Sequence, residues 1–242
     1  MRVNLCDGRA TTLHVARFPR EGSRATLVSF PRPRRLVEWC MRSDTRHALV
    51  AGFFLRPEGR PLGELRLGGM ARDHEPFASP WGGRRGSVAL EDGAVEIAPR
   101  PELGIAPLGD LVEAGPLLVR NGESVVSGVP DPEGFSSAAH QFDSDITAGR
   151  YPRAALGITG DELLAVAGDG RAADEAGLTL PELADAMVSL GSRTAINLDG
   201  GGSTSLVFDG MLRNAPREEH GILIPGGRPI ATALVFEERA AA

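Results

Sequence analysis

The chain has 242 residues, 42% hydrophobic and 24% charged, which suffices for one sizeable core in a globular protein. A net charge of −6 leaves no electrostatic footprint for nucleic acid or an anionic membrane, so a small-molecule partner is expected. All 26 basic residues are arginine, which excludes a P-loop lysine, a Schiff base and a lysine general base and favours forked recognition of phosphate or carboxylate.

Cys6 and Cys40 lack metal-ligand spacing and the density of a disulfide scaffold, and are expected as reduced, buried thiols. Residues Met1 to Asp7 lack the apolar core of a signal peptide and no run reaches transmembrane length, so the expected location is cytoplasmic. Apolar patches at Thr11 to Val15, Ala25 to Phe30 and Leu36 to Met41 predict strands and a short helix, with Pro31 to Arg35 as a solvated turn. His47 to Phe54 reads as a buried strand, and Leu62 to Leu67 alternates as a half-buried one. The polar stretch Met70 to Gly86 is a loop long enough to cover a site. Asp92-Gly93 and Asn121-Gly122 each predict a hairpin, joining Ser87 to Leu90 with Ala94 to Ile97 and Leu117 to Arg120 with Ser124 to Ser127. Gly128 to Arg150, which includes His140, reads as a surface loop.

Two further strands follow, Ala154 to Ile158 and Glu162 to Ala167. A helix is predicted over Leu180 to Leu190, with Thr179 and Glu182 as a capping box, Pro181 early and Gly191 at its end. The run Thr194 to Leu198 then stops at Asp199, followed by Gly200, Gly201 and Gly202 and the hydroxyls of Ser203, Thr204 and Ser205. Such a loop serves either as a hairpin turn or as an anion-binding nest of N–H groups. Strand, helix and strand here have the lengths of a parallel βαβ unit, which would set Asp169 and Asp199 side by side at neighbouring strand ends, with Arg171 facing the same space. The expected fold is therefore α+β: one β-rich domain over 1–242 with a mixed sheet, a C-terminal βαβ unit carrying the Asp-Gly strand ends, and an alanine tail at 240–242. Each Asp-Gly pair also has a plain reading as turn chemistry. Two Asp carboxylates with backbone carbonyls suit a hard divalent cation as well, but no dense Asp/Asn ligand series accompanies them, and no metal or other cofactor is assigned.

Asn197-Leu198-Asp199-Gly200-Gly201-Gly202-Ser203-Thr204 resembles the signature of the phosphodiester glycosidase domain family. Ala51-Gly52-Phe53-Phe54, Ala114-Gly115-Pro116-Leu117, Tyr151-Pro152-Arg153, Asp169-Gly170-Arg171, and Asn214-x-Pro216 with Gly227-Arg228-Pro229 are similar to its other segments, and residues 1–45 diverge more. The resemblance implies hydrolysis of a sugar 1-phosphodiester, of the N-acetylglucosamine 1-phosphate kind, to sugar and phosphomonoester. It implies Asp199 and Asp169 as carboxylates and Arg171 and Arg153 as phosphate clamps. His140 or His220 would be acids on loops, Gly200 to Thr204 the anion loop, and Asn197, Gly52, Phe54, Gly115 and Arg228 further contacts to substrate. Val50 stands where the family usually has Asn, and Ala154 where it has Thr. Two other readings fit the same residues: a module that binds phosphosugars or nucleotide sugars without cleaving them, and a metal-dependent phosphodiesterase.

Overall fold

The computed structural model describes residues 1–77, 85–104, 109–126 and 149–238. Three sheets dominate it. The largest has seven strands in the spatial order Arg2–Asn4, Ala10–Pro19, Glu162–Gly168, Arg153–Ile158, Thr194–Asn197, Leu117–Arg120 and Glu123–Ser124. A five-stranded sheet runs Met211–Leu212, Leu206–Phe208, Ala48–Val50, Ile230–Glu238 and Ser23–Arg34. A second five-stranded sheet runs Met70–Ala71, Leu65–Leu67, Asp110–Glu113, Gly86–Glu91 and Ala94–Pro99.

The central strands of the largest sheet are buried on both faces, which is why their sequence reads as an unbroken apolar run. Because side chains alternate along a strand, Leu163, Ala165 and Ala167 enter the core shared with the other two sheets, while Leu164 and Val166 enter a separate core. The helix Leu180–Ser189 closes that second core with Leu180, Leu183, Ala184 and Met187, and its capping box forms as its sequence predicts. Two-residue turns at Asp92-Gly93 and Asn121-Gly122 have positive φ at both positions, the geometry that matches strand twist in a tight hairpin.

Several expectations change. The strands Glu162–Gly168 and Thr194–Asn197 flank the helix in sequence but are not neighbours in the sheet. Arg153–Ile158 lies between them, antiparallel to both, with Leu156 opposite Ala165 on one side and Ile196 on the other. The physical reason is local: Thr159 accepts N–H bonds from Glu162 and Asp161 at 2.9 and 3.3 Å, so the short link forms a hairpin that occupies the adjacent place. Both flanking strands still run the same way. Every pairing between these named strands is antiparallel, so the sheets are not mixed. Pro31 to Arg34 continue the strand Ser23–Arg34 instead of turning, which proline permits because this strand lies at a sheet edge. Cys40 is buried and free, whereas Cys6 is free and exposed. Among the described residues no helix is long and apolar enough to cross a membrane.

Candidate active site

The strand Thr194–Asn197 ends where two sheets meet. The Asp199 N–H donates to Ala51 O at 3.0 Å, just past the strand Ala48–Val50, and the Val50 N–H donates to Ser205 O at 3.0 Å. Asp199 is thus held at the joint between sheets, almost wholly buried. Its Oδ1 accepts the Gly200 N–H at 2.9 Å. Burial pushes its carboxyl up to about 6, even though the Arg228 charge, the Ser203 hydroxyl, the Gly200 amide and the Arg56 charge all act to lower it.

The glycines that follow are closely surrounded, and Gly201 has φ +60°. A Cβ on Gly200 would come within 3.0 Å of Pro152 O. On Gly202 it would meet Ile224 Cδ1 at 2.9 Å, Glu218 Oε1 at 3.0 Å and Arg228 Nη2 at 3.1 Å. Four amides of the loop have partners within the protein. The amides of Gly200, Gly201, Ser203 and Thr204 are bonded to Asp199 Oδ1, Pro152 O, Gly200 O and Gly201 O. Those four N–H groups hold the 3-10 turn Gly201–Ser203 in shape. The hydroxyls of Thr204 and Ser205 are buried with no hydrogen-bond partner among the described residues.

Asp169 has its carboxylate fully engaged. Its Oδ2 is 2.7 Å from His14 Nε2 and its Oδ1 accepts the Ala215 N–H at 2.7 Å, while its own N–H donates to Thr12 O. Arg171, at φ +59°, donates to Arg217 O at 3.1 Å and stacks 5.3 Å above the Tyr151 ring. Arg153 approaches the same ring at 5.6 Å, but it is 1% exposed and its Nε donates to Leu178 O, so it sits beneath the surface. His220 is exposed in the turn Glu219–Gly221, and a Cβ on neighbouring Gly221 would be 2.5 Å from Arg171 O. His140 lies outside the described residues.

Asn197 is fully buried, and the Gly115 N–H donates to its carbonyl at 3.0 Å. A side chain at Gly115 would strike Asn197 Nδ2 at 2.7 Å and Asn197 O at 2.8 Å. Gly52 is a similar close approach, with Val112 Cγ2 2.7 Å from where its Cβ would be. Phe54 is partly buried and bridges to Pro61. Val50 is fully buried in the core between the sheets. No group of three or more His, Cys, Asp or Glu among the described residues is placed to hold a metal ion.

A family model described as phosphodiester glycosidase matches residues 44–237. The chain belongs to the phosphodiester glycosidase family. A search of curated proteins finds no match. Among solved structures, the zebrafish N-acetylglucosamine-1-phosphodiester alpha-N-acetylglucosaminidase catalytic domain, auto-inhibited by pro-peptide, is similar at a TM-score of 0.72 and 20% identity, over 99% of this chain and 81% of that one. A hypothetical protein from Synechocystis is similar at 0.65 and 18% identity, over 99% of this chain and 61% of the other. A putative exported protein from Burkholderia pseudomallei is similar at 0.63 and 16%, over 95% of this chain and 74% of the other. At these identities the likeness concerns the fold.

Three residues without a signal of their own in the sequence, His14, Arg56 and Glu218, stand in the same neighbourhood of this phosphodiester glycosidase, together with Asn214. Asn214 Nδ2 donates to Thr204 O at 2.8 Å and Oδ1 accepts the Leu206 N–H at 2.9 Å, which clamps the exit of the glycine loop. His14 holds Asp169. Arg56 acts electrostatically on both Asp199 and Glu218. Glu218 is pushed up by burial, but its bonds to Arg228 and the charges of Arg228, Arg56 and Arg171 outweigh this and hold it below the usual carboxylate range. Asn214 and Arg228 belong to segments whose family likeness is visible; Glu218 falls between them in irregular chain.

Proposed function

We propose that this phosphodiester glycosidase cleaves the C1–O bond of a sugar 1-phosphodiester, releasing free sugar and a phosphomonoester. The observation that carries the reading is Asp199: a buried carboxylate at the meeting point of two sheets, within the fields of Arg228 and Arg56. Breaking a sugar C1–O bond develops positive charge at C1. A carboxylate deprived of water gains more from such a charge than a solvated one, because the protein has already removed its competing hydration. The departing group is a phosphomonoester anion that needs little protonation, and the arginine side chains of Arg56 and Arg171 are the groups to receive it. Arg153 is too deep for that and supports Tyr151 instead. The sugar is taken as N-acetylglucosamine by analogy with the name of the zebrafish relative.

The reading requires Asp199 ionised, so kcat/KM should rise with pH through an apparent pKa of about 6 and level off above it. Incubation with methyl N-acetylglucosamine 1-phosphodiester and with UDP-N-acetylglucosamine, followed by assay of free sugar, tests the reaction itself. Sugar release with that pH limb supports it. Saturable binding with no release supports a binding module and rejects hydrolysis.

A further inference from the structure

The turn Gly201–Ser203 connects two carboxylates. Gly200, just before it, donates its N–H to Asp199 Oδ1 at 2.9 Å, while Gly202, in the middle, lies against Glu218 and Arg228. Arg228 is fastened to this turn by its backbone N–H, which donates to Gly202 O at 3.1 Å. Its side chain forks Glu218, donating from Nε to Oε1 at 2.7 Å and from Nη2 to Oε2. The chain that brings Glu218 here is itself closed, since the Glu218 N–H donates to Ile222 O at 2.9 Å and the Ile224 N–H to Pro216 O at 2.9 Å.

Asp169, the other carboxylate in the region, faces elsewhere: its two oxygens join His14 on the strand Ala10–Pro19 and Ala215 on the segment leading to Glu218. The Glu218 side chain is 31% exposed and that of Asp169 is 11% exposed, so water reaches the first more readily than the second. A forked carboxylate still has unused lone pairs, so the Arg228 pairing fixes Glu218 without blocking it.

We propose that Glu218 is the second carboxylate of the reaction, the base that activates water, and that Asp169 is a positioning residue. This rests on the glycosidase reading above. In the step, Glu218 takes one proton from water and the water oxygen forms a bond to C1. The C1–O bond to phosphorus breaks, its electron pair leaves on the phosphomonoester oxygen, and the proton on Glu218 returns to solvent.

The test is steady-state kinetics of Glu218→Ala and Glu218→Gln on a sugar 1-phosphodiester, with and without sodium azide or formate. The expected result is a kcat loss of about 100-fold in both variants with KM within about threefold, and at least tenfold recovery of the alanine variant by the added anion. A raised KM with kcat preserved, or wild-type turnover in the glutamine variant, would show that Glu218 only holds Arg228 and overturns this role alone. A wild-type protein that hydrolyses no sugar 1-phosphodiester overturns the glycosidase reading and this role together.

Discussion

Asp199→Asn is expected to lower kcat by at least about 1,000-fold while raising the stability of the fold at pH 8. Both effects have one cause. Burial lifts the Asp199 carboxyl from 3.8 to about 6, so ionising it inside the protein costs more than ionising it in the unfolded chain. Well below pH 3.8 the group is neutral in both states and imposes no penalty. As pH rises from 4 to 6 the unfolded chain loses this proton before the folded one does, and stability falls. Above about pH 6 the full penalty applies, about 3 kcal/mol for a shift of roughly two units. Asparagine carries no charge and still offers an oxygen to the Gly200 N–H, so the variant escapes that penalty. Thermal melts should place it roughly 5 to 10 °C above the wild type at pH 8 and level with it near pH 4. A lower melting temperature at pH 8 would mean that Asp199 is structural.

The opposite pattern is expected of Asp169→Ala. Here the carboxylate joins three segments: the strand bearing His14, the turn at Asp169 itself, and the chain at Ala215 that leads through Asn214 to the glycine loop. Two hydrogen bonds to a charged acceptor at 2.7 Å, each worth about 1.5 to 3 kcal/mol, are lost together. The fold should lose about 3 kcal/mol or more, with KM raised because the segment carrying Glu218 loosens and kcat reduced less than tenfold. Asp169→Asn keeps an acceptor for the Ala215 N–H and a polar group for His14, and should recover most of both losses. A large fall in kcat with an unchanged melting temperature would instead make Asp169 catalytic.

These two aspartates show how far local pattern reaches. The capping box of Thr179 and Glu182, the two-residue hairpin turns and the abrupt end of the strand at Asp199 are all decided within a few residues, and each is legible in the chain. What lies between two strands is not local. Nothing in Glu162 to Leu198 announces that Arg153–Ile158 will separate the two strands, because that is settled by a hairpin formed upstream of the helix. The three glycines were legible as a close approach, but whether their amides face a ligand or their own loop depends on Pro152, which sits some fifty positions earlier. Glu218 was hidden for a further reason: its only distinguishing feature is the fork to Arg228, ten residues on across irregular chain, which no periodicity records.

Hydrolysis in oxygen-18 water tests the central claim most directly, because it reports which bond of the phosphodiester breaks. Attack at C1 places the label on the hydroxyl of the released sugar and leaves the phosphomonoester unlabelled, and this is the result expected for Asp199 acting at C1. Label in the phosphate would mean that water attacks phosphorus, and would contradict the assignment of this site as a glycosidase.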